Sequence, residues 1–197
     1  TPLHVAALHG NTDMMAALLA AGADPNGAAP SGETLLMTSA RAGVVQAMRL
    51  LIDAGAKIDA REPAFNQTAL MLAARSNSAD AIALLLDSGA DINARTTVGE
   101  TPPFIPPCKG TGCGSEGAGI NRGGLPDRGR RDPVKGGMTP LLYAAREGAD
   151  AALAVLVRRG VDLELAEANG MTPLLMAVLN NQLGAARQLI EAGANVN

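Results

Sequence analysis

The chain is poor in aromatic side chains. Tryptophan is absent, there are two Phe and one Tyr, and aromatics make up 2% of the 197 residues. Hydrophobic residues still account for 47%, so the core must be built from Ala, Leu, Ile, Val and Met. Small apolar side chains of this kind suit helices packed closely in layers. Cysteine is scarce as well. Two Cys do not make a disulfide scaffold and fix no redox compartment. A dominant charge is missing: the net value of −3 gives no general attraction to nucleic acid or to an acidic membrane. The longest apolar run, Met14 to Ala23, has ten residues, too short to span a bilayer. No segment reads as a signal peptide. Residue 1 is Thr rather than Met, so the chain reads as a fragment or a processed product.

What is present is a recurrence. The phrases Thr1-Pro2-Leu3, Thr34-Leu35-Leu36, Thr68-Ala69-Leu70, Thr101-Pro102-Pro103, Thr139-Pro140-Leu141 and Thr172-Pro173-Leu174 follow one another at spacings of 33, 34, 33, 38 and 33. Length alone permits one or two globular domains. A fixed period near 33 instead predicts one elongated stack of a single supersecondary unit.

Each unit has three parts. A first helix begins at the Thr, whose hydroxyl suits the N-cap, and Pro suits the next position because its missing N–H is unbonded there anyway. Apolar residues follow at helical spacing, as in Leu36, Met37 and Ala40. The helix stops at Gly10, Gly43, Asn77, Gly148 or Asn181, residue types that tolerate the left-handed conformation. A second helix runs over Thr12–Ala21, Val44–Ala54, Ser78–Ser88, Ala149–Arg159 and Gln182–Ala192, closed by Gly22, Gly55, Gly89, Gly160 or Gly193. An extended hairpin phrase comes last: Ala23-Asp24-Pro25-Asn26, Ala56-Lys57-Ile58-Asp59, Ala90-Asp91-Ile92-Asn93, Val161-Asp162-Leu163-Glu164 and Ala194-Asn195-Val196-Asn197.

Thr1-Pro2-Leu3-His4-Val5-Ala6 carries the whole T-P-L-H-x-A signature, and the hairpin phrases are similar to G-A-D-V-N. On these residues the chain resembles the ankyrin-repeat family. Pro25 in place of an apolar residue, Lys57 and Asn195 in place of Asp, and Glu164 in place of Asn depart from the pattern without breaking it. The resemblance implies an all-α solenoid of helix-turn-helix units with short β-hairpin fingers. It implies a single domain over 1–197, with repeats at about 1–33, 34–67, 68–100, 139–171 and 172–197. It also implies a structural role for His4, bonding neighbouring turns, and a non-enzymatic scaffold that binds a partner protein through its concave groove and fingers. His9 reads as a surface residue.

Residues 102–138 interrupt the pattern. Six of these 37 residues are Pro and ten are Gly, and Pro106-Pro107 excludes a helix after the fourth phrase. The segment reads as a long loop inserted at a hairpin tip, with a degenerate repeat as the alternative. It carries six basic and three acidic residues, net +3, which leaves −6 on the remainder. A loop of this length is either functional or disordered. It resembles the Gly/Pro-rich inserts of some bacterial members of the family. That points to a soluble chain of bacterial cytoplasm or periplasm, without choosing between them.

Candidate chemistry is sparse. Gly112-Cys113-Gly114-Ser115-Glu116-Gly117 satisfies G-x-G-x-x-G but lacks the strand and helix that a dinucleotide site needs, so no cofactor is expected. Cys108 and Cys113 supply half a zinc site with no second pair nearby; a local disulfide and two free thiols both stay open. Neither His4 nor His9 has triad-like company. Asn66-Gln67-Thr68 is formally a glycosylation sequon, discounted because Thr68 reads as a buried helix cap. Arg41, Arg75 and Arg146 share one register, seven residues after the repeat Thr, and Leu8 and Leu179 hold that place in the flanking units. Arg61 and Arg95 share another register. In the resembled family both registers face the groove, so these residues form either a basic stripe for a partner with carboxylates or ordinary solvated filler. Phe65, in the loop Glu62–Gln67, is either an exposed contact anchor or packed on the next finger. Tyr143 reads as core.

Three functions remain on the sequence: a protein-binding module, with contacts at Arg41, Arg61, Phe65, Arg75, Arg95 and Arg146; the regulatory or targeting arm of a longer multidomain protein, an enzyme among the options; or a structural spacer. Nucleic-acid binding is disfavoured because only the insert is basic, and membrane insertion by the apolar-run length. A monomer is expected, and the sequence does not identify the partner.

Overall fold

Five of the six Thr phrases lie within residues 1–97 and 136–197, which the computed structural model describes. Each of the five stands at the start of a short helix. These are α1 (Pro2–Leu8), α3 (Leu35–Ala42), α5 (Ala69–Arg75), α7 (Pro140–Glu147) and α9 (Pro173–Leu179). The hydroxyls of Thr1, Thr34, Thr139 and Thr172 accept the backbone N–H three residues on, at 3.2–3.3 Å. Thr68 breaks the pattern: it sits at the N-cap of α5, fully buried, but its Oγ1 has no hydrogen-bond partner among the described residues. Packing holds this helix instead, because Ala69 through Ala74 are all buried. The Gly and Asn stops fall where the sequence places them. Gly10, Gly43, Asn77, Gly148 and Asn181 all have φ between 56° and 69°.

The second helices are α2 (Thr12–Ala20), α4 (Val45–Asp53), α6 (Ala79–Asp87), α8 (Asp150–Arg158) and α10 (Leu183–Glu191). They agree with the expected spans to within one residue at each end. Each packs on its own first helix and on the second helices before and after it. The result is two parallel rows of helices, the odd-numbered and the even-numbered, stacked in chain order. Among the described residues no helix is long and apolar enough to cross a membrane.

Helices of seven to nine residues do not persist alone in water; here the stack holds them. Leu36, Met37, Met48, Leu51, Leu70, Met71, Ile82, Leu85, Leu141 and Leu156 are fully buried between layers. Alanines such as Ala40, Ala73 and Ala144 fill the close approaches. Tyr143 is buried as predicted, and its hydroxyl accepts a hydrogen bond from Gln67 Nε2 at 2.6 Å, two helix pairs joined by one bond.

The hairpin phrases adopt turns rather than strands. One isolated antiparallel bridge, Ala28–Thr34, is the β-pairing among the described residues. Within the phrases, side chains take backbone N–H groups, while beyond them the finger reversals are closed by single backbone bonds such as Glu62 N–H to Gln67 O and Glu167 N–H to Met171 O. The last residue of each phrase accepts the backbone N–H of the second residue in the next phrase: Asn26 from Lys57 (2.8 Å), Asp59 from Asp91 (3.2 Å), Asn93 from Asp162 (3.2 Å) and Glu164 from Asn195 (2.8 Å). This ladder explains the departures seen in the sequence. Glu164 serves because the position needs only an acceptor oxygen. Lys57 and Asn195 serve because the second position contributes its backbone N–H. A second bond is local: Asp24, Asp91, Asp162 and Asn195 each accept the N–H two residues on, at 2.9–3.0 Å. Lys57 has no acceptor with which to copy it.

The two ends of the segment 98–135 leave the stack side by side. Thr96 N–H donates to Met138 O at 3.0 Å, Gly137 N–H donates to Thr96 O at 3.2 Å, and Thr96 Oγ1 accepts Met138 N–H at 2.9 Å. The helix pairs on either side are joined as the others are. Asn93 bonds Asp162, and Asn77 Oδ1 caps α8 by accepting Ala152 N–H at 2.9 Å. Cys108, Cys113 and the G-x-G-x-x-G stretch lie outside the described residues.

Because the base is closed, replacing residues 98–135 by a short Gly-containing turn should leave one cooperative thermal transition, with Tm changed by a few degrees at most; two separated transitions would contradict this. Asn77 does two jobs, with φ at 56° and the cap on α8. Asn77→Gly should cost about 1 kcal/mol for the lost cap, and Asn77→Ala about 2 kcal/mol because a Cβ without a local hydrogen bond disfavours that φ. Urea unfolding of the pair measures both terms.

Candidate functional site

A groove of about 230 Å³ opens between the fingers and the first-helix row. Its walls come from finger residues Ser31, Glu33, Glu62, Ala64, Phe65 and Gln67, and its floor from Arg41, Leu72 and Arg75 on α3 and α5. Three of the residues singled out from the sequence therefore meet in one place: Arg41, Phe65 and Arg75. Arg146 joins them through Glu147, whose Oε1 lies 2.8 Å from Arg146 Nη2 and 3.9 Å from Arg75 Nε. Arg146 also sits over the Tyr143 ring, 5.1 Å from its centroid. Each of these arginines occupies the last turn of its helix, where a cation complements the helix dipole.

The stripe is not bare positive charge. Arg41 pairs with Glu33 at 3.1 Å, and Arg146 with Glu147. Three guanidinium groups face three carboxylates, Glu33, Glu147 and the wall residue Glu62, so the formal charges sum to zero and what matters is where each cation stands. The pairs are partly exposed, with Glu33 the most covered member at 19%, so each contributes modestly to stability and its arginine is open to exchange with a ligand carboxylate. Arg75 stands apart by distance: its nearest carboxylate oxygen, on Glu147, lies at 3.9 Å, too long for a hydrogen bond, and its side chain is 54% exposed.

Arg61 and Arg95 are not in the groove wall. Arg61 Nη1 donates to Arg95 O at 2.6 Å and to Asn66 O at 3.3 Å, and Arg95 Nη2 donates to Ala166 O. Both are exposed, and each ties its finger root to the next described one, Arg61 to Arg95 O and Arg95 to Ala166 O. Phe65 is 66% exposed and does not pack away on the neighbouring finger.

The loop that presents Phe65 is organised by a residue the sequence reading did not single out. Glu62 is buried, and its carboxylate accepts three backbone N–H groups: Ala64 at 2.6 Å, Phe65 at 2.8 Å and Gln67 at 3.0 Å. Asn66 takes φ of 61° to close the turn and returns its N–H to Glu62 O. Glu167 stands at the same register in a later finger, buried, accepting Asn169 and Met171 N–H groups at 2.9 and 3.2 Å. Thr96 fills that register between them, also buried. This repetition three residues after Asp59, Asn93 and Glu164, though not after Asn26, where Ala29 stands, was the available signal. Finger contact adds a constraint: a Cβ on Gly32, at φ of 82°, would run into the Pro63 ring.

His4 differs from the role the resemblance implied. Its Nδ1 is buried without a partner among the described residues, and Thr1 Oγ1 accepts the His4 backbone N–H instead. His9 is exposed. Among the described residues no group of three or more His, Cys, Asp or Glu is placed to hold a metal ion.

Glu62→Ala removes the acceptor of three N–H groups and should cost about 2 kcal/mol. It should also speed amide exchange at Ala64, Phe65 and Gln67, while exchange in α3 and α4 changes only by the global loss. Unchanged exchange at those three amides would show that the carboxylate does not hold the loop.

No curated protein sequence matches the chain. A family model described as ankyrin repeats (3 copies) matches residues 3–96 and 120–197, and the chain belongs to the ankyrin-repeat family.

Proposed function

We propose that this chain is a protein-binding module whose contact surface is the groove lined by Arg41, Phe65 and Arg75, with Arg146 at its edge. Ankyrin repeats are generally non-enzymatic protein-interaction modules, and the partner is a protein. One observation carries the choice of surface. Phe65 is an aromatic side chain, 66% exposed, on a loop that a buried carboxylate holds in place. Rigid exposed aromatics beside arginine are the residue types that dominate binding energy at protein interfaces. Holding the loop in advance removes an ordering cost from association.

Arg61 and Arg95 support this surface by fixing the spacing of the fingers, so in this reading they act through the scaffold more than by touching the partner. The repeats are taken as about 1–33, 34–67, 68–100, 139–171 and 172–197, with 102–138 inserted as an accessory to the surface.

The test begins with a partner recovered by proximity labelling in the native source, followed by titration calorimetry on purified proteins. Phe65→Ala should weaken binding at least tenfold with unfolding midpoint unchanged, because the side chain is solvent-exposed. Arg61→Ala should lower the midpoint of unfolding and affect binding only in step with that loss. Equal affinity for wild type and for a chain lacking both the Phe65 and Arg75 side chains would remove the groove from the account.

A further inference from the structure

We infer that the groove takes an acidic segment of its partner, with a carboxylate seated on Arg75 and an apolar side chain against Phe65 and Leu72. The inference rests on the groove being the binding surface and adds the chemistry of what enters it. Five arginines lie near the fingers, and the structure separates them by what their guanidinium groups already do. Arg61 and Arg95 donate to backbone carbonyls. Arg41 faces Glu33 at 3.1 Å, and Arg146 donates twice to Glu147 Oε1, at 3.1 and 2.8 Å. Arg75 alone of the five has neither a hydrogen bond nor a close carboxylate among the described residues: its nearest carboxylate oxygen lies at 3.9 Å, against 3.1 Å for the Arg41–Glu33 ion pair. A guanidinium in this state presents two parallel N–H groups that match a carboxylate bidentately.

The surroundings favour one sign of ligand. Glu62, the carboxylate deepest in the groove wall, is turned to three backbone N–H groups of its own loop, which offset its charge toward the groove. Glu33 is engaged by Arg41 and by the Thr38 hydroxyl at 3.4 Å. Glu147 is the counter-ion of Arg146. The floor cation without a close counter-ion is therefore Arg75. Beside it lie Leu72, a buried residue on the floor of the groove, and Phe65, open on the wall. An entering segment meets an apolar patch and an unpaired cation side by side. A basic segment meets the same cation and is repelled.

The experiment is a selection of peptides from a random display library on the full chain, followed by anisotropy titration of the enriched peptides against wild type, Arg75→Ala, Arg75→Lys and Phe65→Ala. Enriched peptides should carry Asp or Glu next to an apolar residue. They should lose at least tenfold in affinity on Arg75→Ala, recover only part of it with Arg75→Lys, and bind more weakly as NaCl rises from 50 to 500 mM. Those concentrations span a Debye length from above ~10 Å to below ~8 Å. Peptides that depend on Phe65 but carry no carboxylate and ignore Arg75 would overturn the acidic class and leave the groove standing. Peptides that bind all four proteins equally, or no enrichment at all, would overturn both.

Discussion

Everything in this molecule depends on the fact that its helices are too short to exist alone. None of the ten helices among the described residues is longer than nine residues, below the length at which an isolated helix holds together in water. Each gains its stability by burying Leu, Met and Ala against the pairs before and after it. Apolar burial is non-directional and would tolerate sliding. The polar ladder supplies the register that burial lacks, one side-chain oxygen to one backbone N–H per junction, from Asn26, Asp59, Asn93 and Glu164. Asn77 capping α8 and Gln67 bonding Tyr143 add direction across the junctions where the chain departs and returns.

The groove inherits its shape from that register. Finger roots are held at fixed spacing by Arg61 and Arg95, and the Glu62 loop is closed on itself, so Phe65 projects from a wall that needs no rearrangement. The arginine stripe is carried by the last turn of α3, α5 and α7, at one register because the period is constant. The side chains proposed to meet a partner are ones that the stack leaves over: Phe65, 66% exposed, and Arg75, with no carboxylate oxygen nearer than 3.9 Å.

Much of the fold was legible because the signals are local. A Thr hydroxyl reaches a backbone N–H three residues away, and Gly or Asn accepts a positive φ, whatever the rest of the chain does. Both helices of every unit followed from those two facts. The exceptions came from contacts between units. Thr68 looks like its four counterparts in sequence, yet its hydroxyl makes no cap bond while the helix it begins is held by burial. The turns of the hairpin phrases are tied down by acceptors in the adjacent unit, which no single unit displays. At the site, the Arg41, Arg75 and Arg146 register was visible in the period. Glu33 and Glu147, which neutralise two of the three, were not, because they lie at registers that other units fill differently. Glu62 was missed for a related reason: its partners are backbone amides, and only the recurrence of Glu167 and Thr96 at its register marks it.

Residue-resolved native-state hydrogen exchange addresses this account most directly. If side-chain acceptors at the junctions hold the register of one continuous stack, the ladder amides of Lys57, Asp91 and Asp162 should exchange as slowly as core amides of α5 and α7, and all should respond to denaturant with one common slope. Ladder amides exchanging at open-loop rates, or residues 34–96 and 139–197 opening with separate free energies, would contradict it.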